Sequence, residues 1–511
     1  MVKLRIHLGD GYTMLEPFIP EFMPSQLKYW HRTLEYDERR RIRITSGTYR
    51  DLFTIENAEK DGQIIQQLFT MPGFAYKLAN TLSSQGMLYD YVDDRTKLPT
   101  PDLDKAIEGM RPYQIDAVVA AVMSGGGIIS APCGFGKTHL IKAIIRAFKR
   151  DDLIYRNTPL SVVVAADMDV CRKNYNDLKA MFKKEREIGL VMTGEKDFSD
   201  DIQVITFDSL HYIDPAEIGI LIVDECHMSA TEKRIDMVLA ASKAMRWGVS
   251  ATPLGRFDGG DMVTEGMFGP VVYQSSYQQG VEDGALVPIE ICWLKAPEPI
   301  IGLDRYHSYK RRASKIDHGI ELNKNLSKMV ADIIVKIPET RQVMTIMPHM
   351  QQMNEIRYYA KDVPIVHGEQ SEDAIKEKRF HELYAVSKKD RQEIYDKMAS
   401  GDIRSILATY VYKQGVNFPS LTVMVCPGGG GSAIVAGQLP GRASRAGVVG
   451  KDKAYIVDFI HEWDVYDGEN GTMAGPLLRD DRARRKVYKS LKFNQNVYES
   501  IDDLPFIKEN K

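Results

Sequence analysis

Eight residues carry the clearest chemical potential in this 511-residue chain: Ala131-Pro132-Cys133-Gly134-Phe135-Gly136-Lys137-Thr138. Glycines at 134 and 136 let the backbone curl so that its N–H groups point at phosphate oxygens, and a helix starting directly afterwards adds its positive end. Lys137 can reach the β- and γ-phosphates of a nucleoside triphosphate, and the hydroxyl of Thr138 can ligate Mg²⁺. A strict pattern has glycine where Ala131 stands; the core Gly-x-Gly-Lys-Thr is intact. Further along, Leu221-Ile222-Val223-Asp224-Glu225-Cys226-His227 is an apolar run ending in paired acids. Asp224 at the carboxyl edge of a strand is placed to hold Mg²⁺ through water, and Glu225 can take a proton from an attacking water. Both carboxylates are expected to be ionised near neutral pH, because a metal and phosphate-binding cations offset their repulsion. A chance glycine turn and an ordinary acidic strand end are the plain alternatives. The strand before the loop, the helix after it and the second motif downstream argue against both.

The elements that position these groups follow from apolar periodicity. Ile128-Ile129-Ser130, Val162-Val163-Val164-Ala165, Val204-Ile205-Thr206 and Ile220-Leu221-Ile222-Val223 read as strands, and their near-continuous apolar character suits a parallel sheet covered on both faces. The style repeats at Arg341–Ile346, Ile406–Thr409, Thr422–Val425 and Ala454–Val457, with a charged helical pattern over roughly 371–400. The fold class expected is therefore α/β, two tandem parallel-sheet domains over residues 98–289 and 290–460. Residues 1–97 read as a small α+β unit: period-two segments at Leu4–Leu8 and Arg41–Ile44 mark strands, and Gln26–Leu34 and Tyr76–Leu88 read as helices. Its Arg39-Arg40-Arg41 run is a candidate phosphate-backbone contact, although such runs are commonly solvated surface. Leu98-Pro99-Thr100-Pro101-Asp102 reads as a linker. Residues 461–511 read as a short helical tail, basic at Arg482, Arg484, Arg485 and Lys486.

A chain this long exceeds one ordinary core. Hydrophobic residues at 44% and charged residues at 27% give the balance of a globular, non-membrane protein, expected in the cytoplasm or a nucleus. Five scattered cysteines, Cys133, Cys171, Cys226, Cys292 and Cys426, show no ligand spacing for zinc or an iron–sulfur cluster. Four of them are expected in the core; Cys133 differs by lying in the phosphate loop. A formal net charge of -3 excludes a histone-like coat of positive charge, yet a ligand that must be released repeatedly needs only a moderately charged groove.

In this order the motifs resemble those of the superfamily two helicases and translocases whose second motif reads Asp-Glu-x-His, over roughly residues 109–460. The resemblance implies two RecA-like lobes with ATP and Mg²⁺ between them. Arg111-Pro112-Tyr113-Gln114 looks like the adenine-recognising segment, with Gln114 on the base edge and Tyr113 or Arg111 stacking or positioning. Ser250-Ala251-Thr252-Pro253 matches the third motif, linking hydrolysis to lobe movement through Ser250 and Thr252, with His227 in an interlobe hydrogen-bonding role. Thr206 and Ser209, in Ile205–Leu210, correspond to a segment that touches the nucleic-acid backbone. Ala408–Asn417 resembles the fifth motif, where Thr409 would face nucleic-acid phosphate and Gly415 would approach ATP; relatives often carry Asp where Asn417 stands. Gln438-Leu439-Pro440-Gly441-Arg442-Ala443-Ser444-Arg445 matches the sixth. Three apart and so on one side of a helix, Arg442 and Arg445 would grip the γ-phosphate, Arg445 as the finger and Gln438 positioning water or phosphate.

Such a protein would couple ATP hydrolysis to movement along a nucleic-acid backbone, reading phosphates rather than base edges. The spacing looks most like the XPB-like and phage UvsW-like branch, which implies duplex, forked or branched DNA in repair, recombination or replication, with the N-terminal unit as a candidate DNA-binding domain. An RNA helicase shares all these motifs, and the motor of a restriction or defence complex, dependent on protein partners, is a third reading.

Overall fold

Short apolar runs become buried strands where both faces of a sheet are covered, and the computed structural model obeys this in each of two units, divided between Ser275 and Ser276. It describes residues 4–18, 27–37, 42–60, 62–256, 258–300, 317–348, 350–367, 388–409, 418–430, 436–437, 439–448, 450–468 and 471–508.

The first unit opens with β1 (Leu4–Gly9), β2 (Tyr12–Glu16), β3 (Lys28–Asp37), β4 (Ile42–Asp51), β5 (Phe53–Lys60), β6 (Gln63–Thr70) and β7 (Tyr89–Asp93). Five of these make a sheet in the order β5-β6-β2-β1-β7, parallel only where β7 joins β1. The helix Ala75–Ser84 covers it, burying Leu78 and Leu82 with Leu4, Ile6, Leu15 and Leu68. The helix expected over Gln26–Leu34 is not formed. Lys28–Asp37 is β3, paired along its whole length with β4 as a separate two-stranded ribbon. Tyr29, Trp30, Thr33 and Tyr36 are strand-favouring types, and an antiparallel partner satisfies a backbone that a short uncapped helix would leave open. Arg39-Arg40-Arg41 lies outside the described residues.

The N-terminal sheet docks on the helix Asp261–Phe268 through Pro72-Gly73-Phe74. A Cβ on Gly73 would stand 2.1 Å from the backbone oxygen of Glu265, and one on Gly266 would stand 2.5 Å from Met71 Sδ. Lys77 pairs with Glu265 across the same seam, and Arg50 meets Glu232 at 2.8 Å.

The larger sheet of this unit comprises β8 (Gly127–Ser130), β9 (Leu160–Ala165), β10 (Ile188–Met192), β11 (Glu195–Asp197), β12 (Ile202–Thr206), β13 (Ile218–Asp224), β14 (Met245–Ser250) and β15 (Val271–Gln274), in the order β11-β10-β12-β9-β13-β14-β8-β15. Every pairing is parallel except β10 with β11. One face packs Ile129, Val163 and Trp247 against Leu140 and Ile144 of the helix Lys137–Ala147; the other packs Val164, Leu221 and Val223 with Val238 and Phe268. The four strand expectations are met here.

The second unit begins with the helix Tyr277–Glu282, ahead of the boundary expected at 289–290. Tyr277 explains the shift: its ring packs edge-on against Phe493 at 4.7 Å and its hydroxyl donates to the Val287 carbonyl. Then come β16 (Ile289–Lys295), β17 (Gln342–Ile346), β18 (Ile365–Val366), β19 (Ser405–Ala408), β20 (Leu421–Cys426), β21 (Ala454–Ile460), β22 (Val465–Gly468), β23 (Gly471–Ala474) and β24 (Asn494–Tyr498). Seven form an all-parallel sheet, β18-β19-β17-β20-β21-β16-β24; β22 and β23 form a hairpin. The charged helix expected over 371–400 is present at Lys388–Ser400, and 371–387 lie outside the described residues. The tail contains its helix, Pro476–Ser490, and also supplies β24 as an edge strand beside β16. Among the described residues no helix is long and apolar enough to cross a membrane.

Candidate functional site

Strand order assembles the site. β13, β14 and β8 are neighbours running the same way, so the loops leaving their carboxyl ends meet although they are far apart in sequence. β8 delivers the phosphate loop. Gly134 (φ 90°) and Gly136 (φ 94°) take left-handed conformations open to glycine, and Gly136 is the residue that starts the helix Lys137–Ala147. Ala131 is fixed by its N–H to the Ser250 carbonyl at 3.0 Å. β13 delivers Asp224 and Glu225, and β14 ends at Ser250.

A continuous hydrogen-bonded chain joins the three loops. Lys137 Nζ donates to Glu225 Oε1 at 3.1 Å; Ser250 Oγ donates to Glu225 Oε2 at 2.9 Å. The Ser250 oxygen in turn accepts from Thr252 N at 3.1 Å and meets His227 Nδ1 at 3.0 Å. Because the Ser250 proton is committed to Glu225, His227 Nδ1 carries the proton of that contact. Glu225 itself adopts φ 54°, a left-handed conformation uncommon outside glycine, of the kind that gathers at functional sites. Asp224 accepts from Asn174 Nδ2 at 3.0 Å on one oxygen and from the Glu225 N–H at 3.1 Å on the other. Each oxygen keeps a further lone pair, which suits a carboxylate that shares a divalent cation with phosphate and water.

Charge is balanced across this chain. Burial alone would depress the Lys137 ammonium, but the Glu225 carboxylate overrides it, with Cys133 and Asp224 adding, and holds the lysine charged well above its usual range. Burial opposes ionisation of Glu225, and Lys137 with His227 outweighs it and keeps its pKa below the usual carboxylate value. For Asp224, burial and the adjacent Glu225 charge prevail over Lys137 and raise it. The two acids are thus pushed in opposite directions, Glu225 down and Asp224 up. A cation arriving beside Asp224 would offset the difference, and Thr138, half-buried at the helix start, and Asp224 are residues that could receive one.

The remaining expected residues of the first unit fall into two groups. Gln114 is buried above the phosphate loop, its Nε2 donating to the Phe135 carbonyl at 2.8 Å and its Oε1 accepting from Arg111 N at 3.2 Å. Its amide thus ties the segment before the helix to the phosphate loop. Arg111 Nη1 reaches the Tyr113 hydroxyl at 2.9 Å, and the Tyr113 ring meets Phe135 edge-on at 5.1 Å. Pro132 and Cys133 are half-buried in the loop. Thr206 and Ser209 are both buried, with Thr206 Oγ1 donating to Ser209 Oγ at 3.1 Å. Asn174 on Asp224, and Arg256, whose Nη1 donates to the His227 carbonyl at 2.5 Å, were missed by sequence reasoning. Neither lies in a recognisable motif.

In the second unit Thr409 follows β19 and donates its N–H to Val366 O at 2.9 Å. Gly415, Asn417 and Gln438 lie outside the described residues. Arg442 and Arg445 are half-buried, but no helix carries both. Pro440–Arg442 is a single 3-10 turn, and Arg445 stands in an isolated antiparallel bridge with Leu286, beside a Val287 N–H to Ser444 O bond of 2.6 Å. Pro440 starts the turn, Gly441 is a poor helix former, and the Ser444 carbonyl is taken by the Val287 N–H. Of the cysteines expected in the core, Cys171, Cys226 and Cys292 are buried and Cys426 half-buried.

A phosphate-cradling loop, a strand-end acid pair and a serine joining them, with a second parallel sheet beyond, define a nucleoside triphosphatase with two α/β lobes. Comparison places it further. Residues 108–255 match the family model "Type III restriction enzyme, res subunit", and residues 326–447 match "Helicase conserved C-terminal domain". The chain is 27% identical over 393 residues to the DNA 3'-5' translocase XPB2 of Sulfurisphaera tokodaii, covering 71% of this chain and 84% of that protein. It is 23% identical over 384 residues to putative helicase 22 of a Sulfolobus islandicus filamentous virus, covering 70% of this chain and 65% of that protein. Among solved structures, Saccharomyces cerevisiae Dbp5 bound to RNA and ADP BeF3 shares the fold with TM-score 0.53 at 13% identity, covering 79% of this chain and 95% of that one. The chain is a superfamily two helicase or translocase of the Asp-Glu-x-His type, similar to the XPB-like proteins. It is an ATP-dependent enzyme.

Proposed function

We propose that the protein hydrolyses ATP with Mg²⁺ to move along duplex, forked or branched DNA. The observation that carries this reading is the chain Lys137–Glu225–Ser250–His227, which ties the phosphate loop to the catalytic acid and then to the third motif. When bound, Mg²⁺ supplies charge neutralisation on the phosphates. Lys137 turns from Glu225 to the β- and γ-phosphates, and Thr138 and Asp224 hold the cation's shell. Glu225, released from Lys137 but still gripped by Ser250, accepts the proton of the attacking water. Losing or gaining that proton alters the Ser250 and His227 contacts, which is how hydrolysis would be felt beyond the phosphate loop. By the resemblance, Arg445 and Arg442 would be the guanidinium donors to the γ-phosphate. Tyr113, Arg111 and Gln114 border the base, and Thr206, Ser209 and Thr409 belong to the nucleic-acid-facing segments.

The XPB2 relative, described as a DNA translocase, favours DNA over RNA. The res-subunit match of residues 108–255 favours a second reading, the motor of a restriction complex needing protein partners. The test is ATPase and strand-separation assays side by side on single-stranded DNA, duplex, forks, Holliday junctions and RNA, with Glu225→Gln as control. We expect DNA-stimulated turnover, lost by roughly 10²–10⁴-fold in Glu225→Gln while ATP still binds. Stimulation by RNA alone, or undiminished turnover in that variant, would refute the assignment.

A further inference from the structure

At the opposite end of the first unit's sheet from Lys137, a cavity of about 160 Å³ lies under the N-terminal sheet, lined by Gly9, Asp10, Arg95, Gly126, Arg246 and Gly269 among others. Its position follows from the strands: Gly127 begins β8 and Met245 begins β14, so the cavity sits at their amino ends while the phosphate loop and Ser250 sit at their carboxyl ends. Glycine walls keep it open, since no side chain grows from them to fill the space.

Arg95 and Arg246 line the cavity, and Arg156 stands beside it, near the same acid, Asp10. Arg246 is buried, 8% exposed, and its Nη1 has no hydrogen-bond partner among the described residues. Arg156 places Nη2 on the Lys243 carbonyl at 3.3 Å, at the cavity wall, and its Nε and Nη1 are likewise buried without partners among the described residues. Arg95 is satisfied by Asp93, through Nε at 2.8 Å and Nη2 at 2.6 Å. Asp10 is the remaining acid acting on the cluster, and both its oxygens already accept from Thr96, at 3.0 and 2.5 Å. Two guanidiniums thus face one carboxylate. Burial, with Arg95 adding, pulls Arg246 down to about 10, in the direction of a cation short of a counter-ion.

A buried, unpaired charge is costly and is ordinarily matched in the folded state. Planar guanidinium forks match tetrahedral oxyanions, and the cavity has room for one with its waters. We propose that this cavity binds a phosphate-type oxyanion on Arg246, with Arg156 at its margin adding charge, at a site separate from the nucleotide loop and formed jointly by the N-terminal sheet and the first lobe. The anion is either free phosphate or a phosphodiester of a nucleic-acid backbone.

The test uses the full chain carrying Lys137→Ala, so that the phosphate loop cannot account for binding, titrated with inorganic phosphate by calorimetry and thermal melting. We expect saturable binding that equals the parent's non-nucleotide component and is weakened about tenfold or more by Arg246→Met. In phosphate-free buffer Arg246→Met should melt no lower than its parent, and phosphate should raise the melting temperature of the parent only. Arg156→Gln, further from the core, provides a second variant expected to weaken binding if Arg246→Met does not fold. No saturable binding at about 10 mM phosphate, or binding as tight as the parent's in both arginine variants, overturns the proposal. Competition by duplex DNA without terminal phosphates identifies the phosphodiester as the source; its failure to compete identifies the free anion. Because Lys137→Ala is already present, failure here leaves the nucleotide site untouched.

Discussion

The two units each bury a cluster of opposite charges, and the two clusters are built for different ends. In the first unit Lys137, Asp224 and Glu225 gather at strand ends beside a glycine loop, with partners that can be exchanged and oxygens with capacity to spare. In the second, Arg484 from the helix Pro476–Ser490 donates to both Asp458 oxygens at 2.9 Å, to Asp481 at 3.0 Å and to the Gly430 carbonyl at 2.9 Å. Tyr488 adds a bond to Asp458 at 3.0 Å, and the His461 N–H one to Asp481 at 2.7 Å. Burial would lower the Arg484 pKa, but Asp458 reverses that and holds it far above the usual value. Little is left over for a ligand there. Buried charge marks chemistry where its valences can be redirected, and marks architecture where they are filled.

Three experiments can break or sharpen that contrast. The largest effect is expected from Arg484→Met, which strands two buried carboxylates. The second unit should lose about 3–5 kcal/mol, read as a lower denaturant midpoint; a loss under about 1 kcal/mol would mean the cluster is not architectural. Next, Lys137→Ala should lower ATP turnover by roughly 10²–10³-fold or more with an unchanged circular dichroism spectrum. Loss of the fold there would place Lys137 with Arg484, as scaffold.

The smallest effect concerns a lysine pushed the other way. Lys451 lies in the second unit with Nζ on the Pro419 carbonyl at 2.8 Å, and burial, with the Arg445 charge adding, pulls it down to about 8. Its folded pKa is below the unfolded value, so the folded state holds fewer protons between about 8 and 10.5. Stability from this group therefore rises as pH climbs through that window, by on the order of 2 kcal/mol, and Lys451→Met should flatten the rise in urea midpoint. An identical slope in the variant would assign the window to other groups. Lys137 and Lys451 differ in that one has a carboxylate beside it and the other a guanidinium.

What the residues alone revealed tracks this division. Central strands such as Val162–Ala165 were legible because burial on both faces writes a continuous apolar run. The Lys137 and Glu225 pair was legible because phosphate chemistry fixes residue types at fixed spacing. β3 was misread as helix because its mixed apolar and charged character satisfies either period over a short span, and only its partner β4 decides. β24, Asn494-Gln495-Asn496-Val497-Tyr498, is a polar edge strand and has no apolar signature. Arg484 looked like one of several tail cations. A carboxylate inside the apolar run Ala454–Ile460 was the signal that a buried cation must answer it. Arg442 and Arg445 were placed on a helix by spacing, whereas Pro440 and Gly441 set a turn. Asn174 and Arg256 act through geometry that no local pattern records.

The close seam between Gly73 and the helix Asp261–Phe268 has a mechanical consequence. With backbone against backbone and no side chain to act as a spacer, the N-terminal sheet cannot hinge without clashing, so it rides as a fixture of the first lobe. Whatever displaces the first lobe would carry the N-terminal sheet with it, with no slack between the two.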